Sequence, residues 1–193
     1  MPADRADLAR RLAAVTKDDT SRGLNYTTIF ALVEEHLGRG VAREVDVLHK
    51  GERVDFFSYP MSEYLDTTWN AVDRLEGLLG GPDAVFEALG QRTVTSFLKS
   101  MIGRTVFSLA GRDPRRIVSQ GPSGYRSAVA YGERRVEWDG PRRGRMIFTR
   151  DFMPVPFHQG VILAALRASD GRAPRVVGRE TGFLDSVYEI EWS

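Results

Sequence analysis

The chain has 193 residues, 42% of them hydrophobic, and a formal net charge of +1. That length supports one domain with a real core, and that charge excludes a global field drawing the protein to nucleic acid or a membrane surface. There is no cysteine, which excludes disulfides, thiol catalysis and thiolate ligation of zinc or haem iron.

The amino-terminal MPADRADLARRLAAV lacks the apolar stretch of a signal peptide. No run of about 18 apolar residues occurs, so no membrane-spanning helix is expected and the expected location is cytoplasmic. Residues 3–15 read as a short helix with Leu8, Leu12 and Val15 as its stripe, followed by a polar linker to Gly23. Asn25 or Thr27 is placed to cap a second helix carrying Ile29, Phe30, Val33 and Leu37, which Gly38-Arg39-Gly40 ends. Residues 41–48 read as another short helix, Lys50-Gly51 as a turn, and residues 54–59 as apolar without a clear period. Pro60 suits the first turn of a longer helix over 61–79, with Leu65, Trp69, Val72, Leu75 and Leu79 in its stripe and Gly80-Gly81 as its stop. A further helix starts at Pro82-Asp83 and buries Val85, Phe86 and Leu89. Residues 92–110 are the most apolar helical stretch. Val94, Phe97, Leu98, Met101, Ile102, Val106 and Phe107 cover more than one face, which predicts a central helix. Gly103 within it costs about 1 kcal/mol against alanine and allows a neighbour to approach. Asp113-Pro114 opens a short helix through Gln120, and Gly121-Pro122-Ser123-Gly124 reads as a turn.

The last third reads as strands around one helix. Residues 125–138 form one strand bent at Gly132, or two short ones: Val129 and Tyr131 share one phase, Val136 and Trp138 the other, and a glycine between them marks a bulge. Asp139-Gly140-Pro141 turns the chain into a second strand over 145–152, with Met146, Phe148 and Phe152 alternating. Pro154 and Pro156 open a helix carrying Phe157, Val161, Ile162, Ala165 and Leu166, which Asp170-Gly171 stops. Residues 175–180 and 187–192 are further strands. In the last, Tyr188, Ile190 and Trp192 alternate with Glu189 and Glu191, the pattern of a half-buried antiparallel strand. The expected fold class is α+β: a single domain over 1–193, with a mainly helical part at 1–120 packed on an antiparallel sheet module at 121–193 of order ββαββ with one crossing helix.

Chemical motifs are few. His36, His49 and His158 offer no pair four residues apart, so no metal site is assigned, and packing or surface roles suit all three. No phosphate-cradling loop is present: Gly38-Arg39-Gly40 is too short, and Pro141 has no N–H to offer. Gly121-Pro122-Ser123-Gly124 is not a nucleophile elbow, and no catalytic residue is assigned. Asp66, Asp73 and Glu76 suit a solvated helix face. Of the 27 basic residues, 24 are arginine. Arg112, Arg115 and Arg116 open one helix. Arg134, Arg135, Arg142, Arg143 and Arg145 flank the first hairpin, and if they adjoin they form one basic edge for a phosphate-bearing ligand or an acidic protein patch. Glu133, Glu137 and Asp139 interleave with them, and cross-strand ion pairs explain that pattern without a ligand. No aromatic signature of RNA binding lies between these arginines, so nucleic acid is not an expected partner.

GPSGYRSAVAYGERRVEWDGPRRGRMIF, the crossing helix after it and the terminal EIEW, together with SYPMSEYL and LGQRTVTSFLKSMIGR, resemble a paralogous family found mainly in myxobacteria, over most of residues 23–192. Membership implies no known activity. More distantly, the layout resembles the superfamily of the haem-nitric-oxide-binding (H-NOX) sensors, the 4-vinyl reductase domains and the TRAPP vesicle-tethering subunits. That resemblance implies helices followed by a sheet with one crossing helix, and a haem, small molecule or acyl chain held between them. The chain departs from the haem sensors at two points. The stretch 101–105, comparable with the helix that gives their iron a histidine, has none. FTRDF at 148–152 does not match their Tyr-x-Ser-x-Arg propionate clamp. Haem is therefore not expected, and no other cofactor is.

The superfamily resemblance implies an apolar cavity between the central helix and the sheet, lined by Phe97, Met101, Phe107 and Phe148, whose spacing also suits an ordinary core. The expected function is a non-enzymatic small-molecule-binding or regulatory domain. The alternative is a protein-interaction or phosphate- or nucleotide-binding module using the Arg-rich edge. The partner is an unknown small molecule or protein, and exposed sheet edges allow a homodimer.

Overall fold

The computed structural model describes residues 4–49, 51–100, 103–105 and 111–193. α1 (Arg5–Ala14) begins at Asp4, whose carboxylate accepts from the amides of Ala6 (2.8 Å) and Asp7 (3.1 Å). These are N–H groups the helix itself cannot satisfy. Next comes β1 (Thr20–Arg22), which pairs antiparallel with β2 (Ser58–Pro60). α2 (Gly23–Leu37) follows β1 directly. Its first amides donate to carbonyls of the 54–57 turn, Gly23 to Phe57 at 2.9 Å and Leu24 to Asp55 at 3.1 Å. The side-chain cap expected from Asn25 or Thr27 is therefore not used. Asn25 is buried and donates to Ser21 Oγ (2.9 Å) and the Ala128 carbonyl (3.2 Å).

After the short α3 (Arg39–Glu44), α4 (Met61–Leu79) follows its sequence pattern: Leu65, Trp69, Val72 and Leu75 are buried along one stripe, and Gly80 ends the helix. α5 (Pro82–Lys99) is one continuous helix where two were expected. It stops at Ser100, whose backbone is extended and whose hydroxyl accepts the Gly103 amide at 3.0 Å. The helix expected over 92–110 is thus interrupted at residue 100.

α6 (Pro114–Ala128) corrects the sequence reading most. It runs through Gly121-Pro122-Ser123-Gly124, the expected turn, and takes in the first part of the expected strand. Asp113 caps it through the amides of Arg115 (2.8 Å) and Arg116 (3.3 Å). Pro122 removes one ladder hydrogen bond and the glycines lower helix propensity. Tertiary packing overrides both, since the Tyr125 ring meets Phe148 edge-on at 5.1 Å and Val118 is buried beside Met146.

The expected 125–138 strand begins only at Glu133. Gly132 precedes it with φ 59°, and a Cβ there would lie 2.5 Å from the Arg150 carbonyl oxygen. β3 (Glu133–Trp138), β4 (Arg143–Thr149), β5 (Arg175–Gly182) and β6 (Asp185–Glu191) form an antiparallel sheet of order β3-β4-β6-β5. α7 (Val155–Arg167) crosses between β4 and β5, which gives the ββαββ order. Register places Arg134, Val136, Met146, Phe148, Tyr188 and Ile190 on one face, under α6 and α7. Arg135, Glu137, Arg143, Arg145, Glu189 and Glu191 lie on the other.

α5 and α7 cross at backbone distance. A Cβ on Gly90 would lie 1.9 Å from the Phe157 carbonyl oxygen, and one on Gly160 2.1 Å from that of Glu87. This is why a glycine sits inside α5 without breaking it. Tyr131, Phe152, Met153 and Phe157 from the sheet module pack into the core built by α1, α2, α4 and α5, so the helical half and the sheet half share their apolar interior.

Candidate functional site

A cavity of about 160 Å³ opens between α2, α5, α6 and α7. Val94, Phe97 and Leu98 of α5 form one wall, Tyr125 and Ala128 of α6 another, and Phe157 and Val161 of α7 a third. Among the described residues no Asp, Glu, Lys or Arg side chain lines it. Of the four residues named for the cavity, Phe97 is in its wall. Phe148 lies one layer below, fully buried in β4, with its ring 4.7 Å from His158. Met101 and Phe107 lie outside the described residues. Val94, Phe97 and Leu98 are half-buried and line the cavity.

A buried polar chain underlies the cavity. Tyr125 Oη meets His158 Nδ1 at 2.9 Å, and His158 Nε2 meets Asp151 Oδ1 at 2.7 Å. Asp151 Oδ2 accepts from Arg134 Nε (3.1 Å) and from Arg134 Nη2, while Oδ1 also accepts the Met153 amide (3.0 Å). The side chains of Arg134, Asp151 and His158 are each at most 2% exposed. Three elements and a loop supply the chain: α6 gives Tyr125, the first turn of α7 gives His158, the inner face of β3 gives Arg134, and the second residue after β4 gives Asp151. Burial alone would push the Asp151 carboxyl up, but His158, Arg134 and the Met153 amide outweigh it and hold the group well below the usual carboxylate range. Burial, helped by the nearby Asp151 charge, pushes the Tyr125 hydroxyl well above an ordinary phenol. An ionised carboxylate only accepts, so Nε2 carries its proton toward Asp151. Nδ1 and Tyr125 Oη share one hydrogen bond, in which a ring protonated at Nε2 alone accepts and a doubly protonated ring donates. Tyr125 is half-buried and lines the cavity, while its hydroxyl is held at His158.

Arg150, beside Asp151, adopts φ 53° and turns the other way. Its guanidinium reaches both carboxylate oxygens of Asp19 at 2.7 Å and the Ala14 carbonyl at 3.2 Å. The Asp19 carboxyl is lowered from 3.8 to about 2 by that pairing, against its burial and with help from Thr16.

The basic edge is not one patch. Arg134 points inward and is buried, so it does not adjoin the others. Arg135 and Arg145 both pair with Glu137 (3.1 and 2.6 Å), and register sets Arg143 opposite Glu191. Arg142 is exposed at the hairpin turn. The outer sheet face is thus a lattice of alternating charges. A second, wider cavity of about 780 Å³ lies beside α2 and α3. Of its charged groups, Arg39 pairs with Glu34 and Arg53 with Asp46. No group of His, Cys, Asp and Glu fit to hold a metal ion occurs among the described residues, nor any helix long and apolar enough to cross a membrane.

Phase alone could have placed Arg134 inside, since it alternates in step with Val136 and Trp138. Tyr125, Asp151 and His158 carry no local signal, because strand register and the crossing helix bring them together.

Helices leading into an antiparallel sheet with one crossing helix define the H-NOX fold class, and solved structures agree. An H-NOX protein from S. oneidensis in the Fe(II)NO ligation state is similar at 13% identity, over 89% of this chain and 99% of that one, with a TM-score of 0.74. The Fe(II) unliganded H-NOX protein from K. algicida is similar at 14% identity, over 89% and 96%, with a TM-score of 0.69. An oxygen-binding H-NOX domain related to soluble guanylate cyclases is similar at 12% identity, over 89% and 95%, with a TM-score of 0.64. At such identities the likeness is one of fold. The chain itself belongs to the family described as protein of unknown function (DUF2378), which it matches over residues 14–193. No curated protein matches it by sequence.

Proposed function

We propose that this protein is a non-enzymatic sensor or regulatory domain that holds a small apolar molecule in the cavity between α2, α5, α6 and α7. The observation carrying this reading is the face of α5 on which half-buried Val94, Phe97 and Leu98 line a space of about 160 Å³ among the described residues. An apolar cavity of about 150 Å³ in another protein stays dry and takes up benzene, so a single ring or short chain is the right size.

The H-NOX neighbours are named for iron ligation states, but the residues here do not fit an iron porphyrin. His158 is the histidine that lines the cavity, and both its nitrogens are engaged, by Tyr125 and Asp151. Tyr125 and Tyr131 are pushed well above an ordinary phenol by burial, so neither offers a phenolate. No Arg or Lys side chain is among the described lining residues to pair with a propionate. The volume also falls below the roughly 300–1,000 Å³ of pockets for larger ligands.

Toluene tests the reading. At ten times its Kd it stabilises the folded state by about 1.4 kcal/mol, raising Tm by about 3–6 °C for a chain of this size. Val161→Phe, which fills the space, should abolish that rise. A wild-type Tm that toluene does not move would sink the proposal. Native mass spectrometry of protein from its own host should also show a retained small molecule.

A further inference from the structure

We infer that the two open edges of the four-stranded sheet are the two halves of one interface, and that β5 of one copy of this chain pairs antiparallel with β3 of the next. Each of these strands pairs on one side only, β3 with β4 and β5 with β6. Every pairing in the sheet is antiparallel, so β3 and β5 run in opposite directions. A second copy can therefore set its β3 beside β5 with the same face outward. The hydrogen-bonding phase agrees. The Asp139 amide donates to the Arg143 carbonyl at 3.0 Å, which turns the alternate residues of β3, Arg134 and Val136, away from β4. Carried across the ladder, the same alternation turns Val176 and Gly178 of β5 outward. The Gly178 amide does donate outside the ladder, to Gln159 Oε1 at 2.8 Å. Val136 and Val176 meet no backbone partner on that side among the described residues. Gln159 thus stands in for the missing strand at one amide and leaves the next one open.

Setting Val136 opposite Val176 of the neighbouring copy lets these outward groups bond, and in that register the charges match. Glu133 falls opposite Arg179, and Glu137 opposite Arg175. Glu133 and Arg179 are exposed and have no ion pair within the chain. The row across the junction reads Arg143, Glu191 and Arg175 of one copy, then Glu137, Arg145 and Glu189 of the next, so the charges alternate without a break. Arg135 lies across from Val177, an apolar residue 45% exposed in mid-strand, which the arginine stem covers. A shift of two residues either way sets Arg135 opposite Arg175 or Arg179, and like charges directly opposite are destabilising. The two halves differ, so the contact does not close as a two-fold dimer and adds copies head to tail.

Sedimentation velocity of the wild-type chain tests this from about 10 µM to about 1 mM, the range in which weak contacts register. The mass should grow with concentration beyond a dimer and fall as salt rises from about 50 to about 500 mM. Glu133→Arg or Arg179→Glu alone should weaken association about tenfold, by losing a cross-strand attraction and gaining a repulsion. Both residues are exposed, so neither change should impair folding. An equimolar mixture of the two variants should recover wild-type association, because the altered edge of each meets its complement on the other. A wild-type chain that stays monomeric throughout at low salt would overturn the inference and leave these edges to a strand of another protein. Growth that stops at a dimer would overturn it too, as would single variants that associate like the wild type or a mixture that shows no recovery.

Discussion

Asp19→Asn isolates the ion pair that ties the α1–β1 linker to the end of β4. The substitution keeps an oxygen to accept from Thr16 but removes the charge and the two-oxygen seat of Arg150. A carboxyl lowered from 3.8 to about 2 corresponds, at about 1.36 kcal/mol per pKa unit, to about 2 kcal/mol of stabilisation at neutral pH. The Asp19 side chain is 4% exposed but that of Arg150 is 40% exposed, so solvent screening reduces the expected loss to about 1–2 kcal/mol. For a chain of this length that is about 2–8 °C in Tm. The folded carboxyl ionises more readily than the unfolded one. Its contribution is therefore complete above the ordinary value of 3.8 and fades as pH falls through about 2. Half of it should be gone near pH 3. Denaturant unfolding of wild type and Asp19→Asn at pH 7, 4, 3 and 2.5, at fixed ionic strength, reads the difference directly. A gap that stays the same from pH 7 to pH 2.5 would show that the pair does not contribute through its charge, and the reasoning would fail.

Asp151→Ala leaves the Arg134 cation buried without its counter-charge and His158 without its orienting partner. A loss of about 3–5 kcal/mol is expected, read as a Tm drop of at least about 6 °C; a drop under about 2 °C would contradict the buried network. Gly160→Ala drives a methyl into the Glu87 carbonyl and should cost about 1–3 kcal/mol or prevent folding. Gly124→Ala, in α6 with nothing within 4 Å of the new methyl, should stabilise by up to about 1 kcal/mol. Equal effects of these two glycine changes in thermal unfolding would refute the account of the α5–α7 crossing.

The elements legible in sequence are those whose stripe and stops agree. α4 shows its buried Leu65, Trp69, Val72 and Leu75 at helical spacing, with Pro60 before and Gly80 after. β6 alternates Tyr188 and Ile190 with Glu189 and Glu191, and α7 opens at its prolines. α6 was not legible, because every local cue in Gly121-Pro122-Ser123-Gly124 favours a turn, and only the fit of Tyr125 against Phe148 and His158 rewards the helix. The two helices expected from Pro82 and over 92–110 are joined through Gly90, which is a contact point with α7. The apolar excess over 92–110 predicted a central helix, and of its residues Phe97 lies in the cavity wall, with Phe148 of β4 in the layer beneath. The polar floor was invisible, since Tyr125, Asp151 and His158 meet only once the sheet and crossing helix are assembled.

The crossing at Gly90 and Gly160 gives the cavity a rigid jaw and a compliant one. With the backbones of α5 and α7 in contact, two of its walls can only move as one plate. The opposing wall is α6, which lacks a rung at Pro122 and rests on the sheet through Tyr125 and Val118. A guest that needs more room must therefore find it by displacing α6, and that strain arrives at the inner face of the sheet rather than in the helical half.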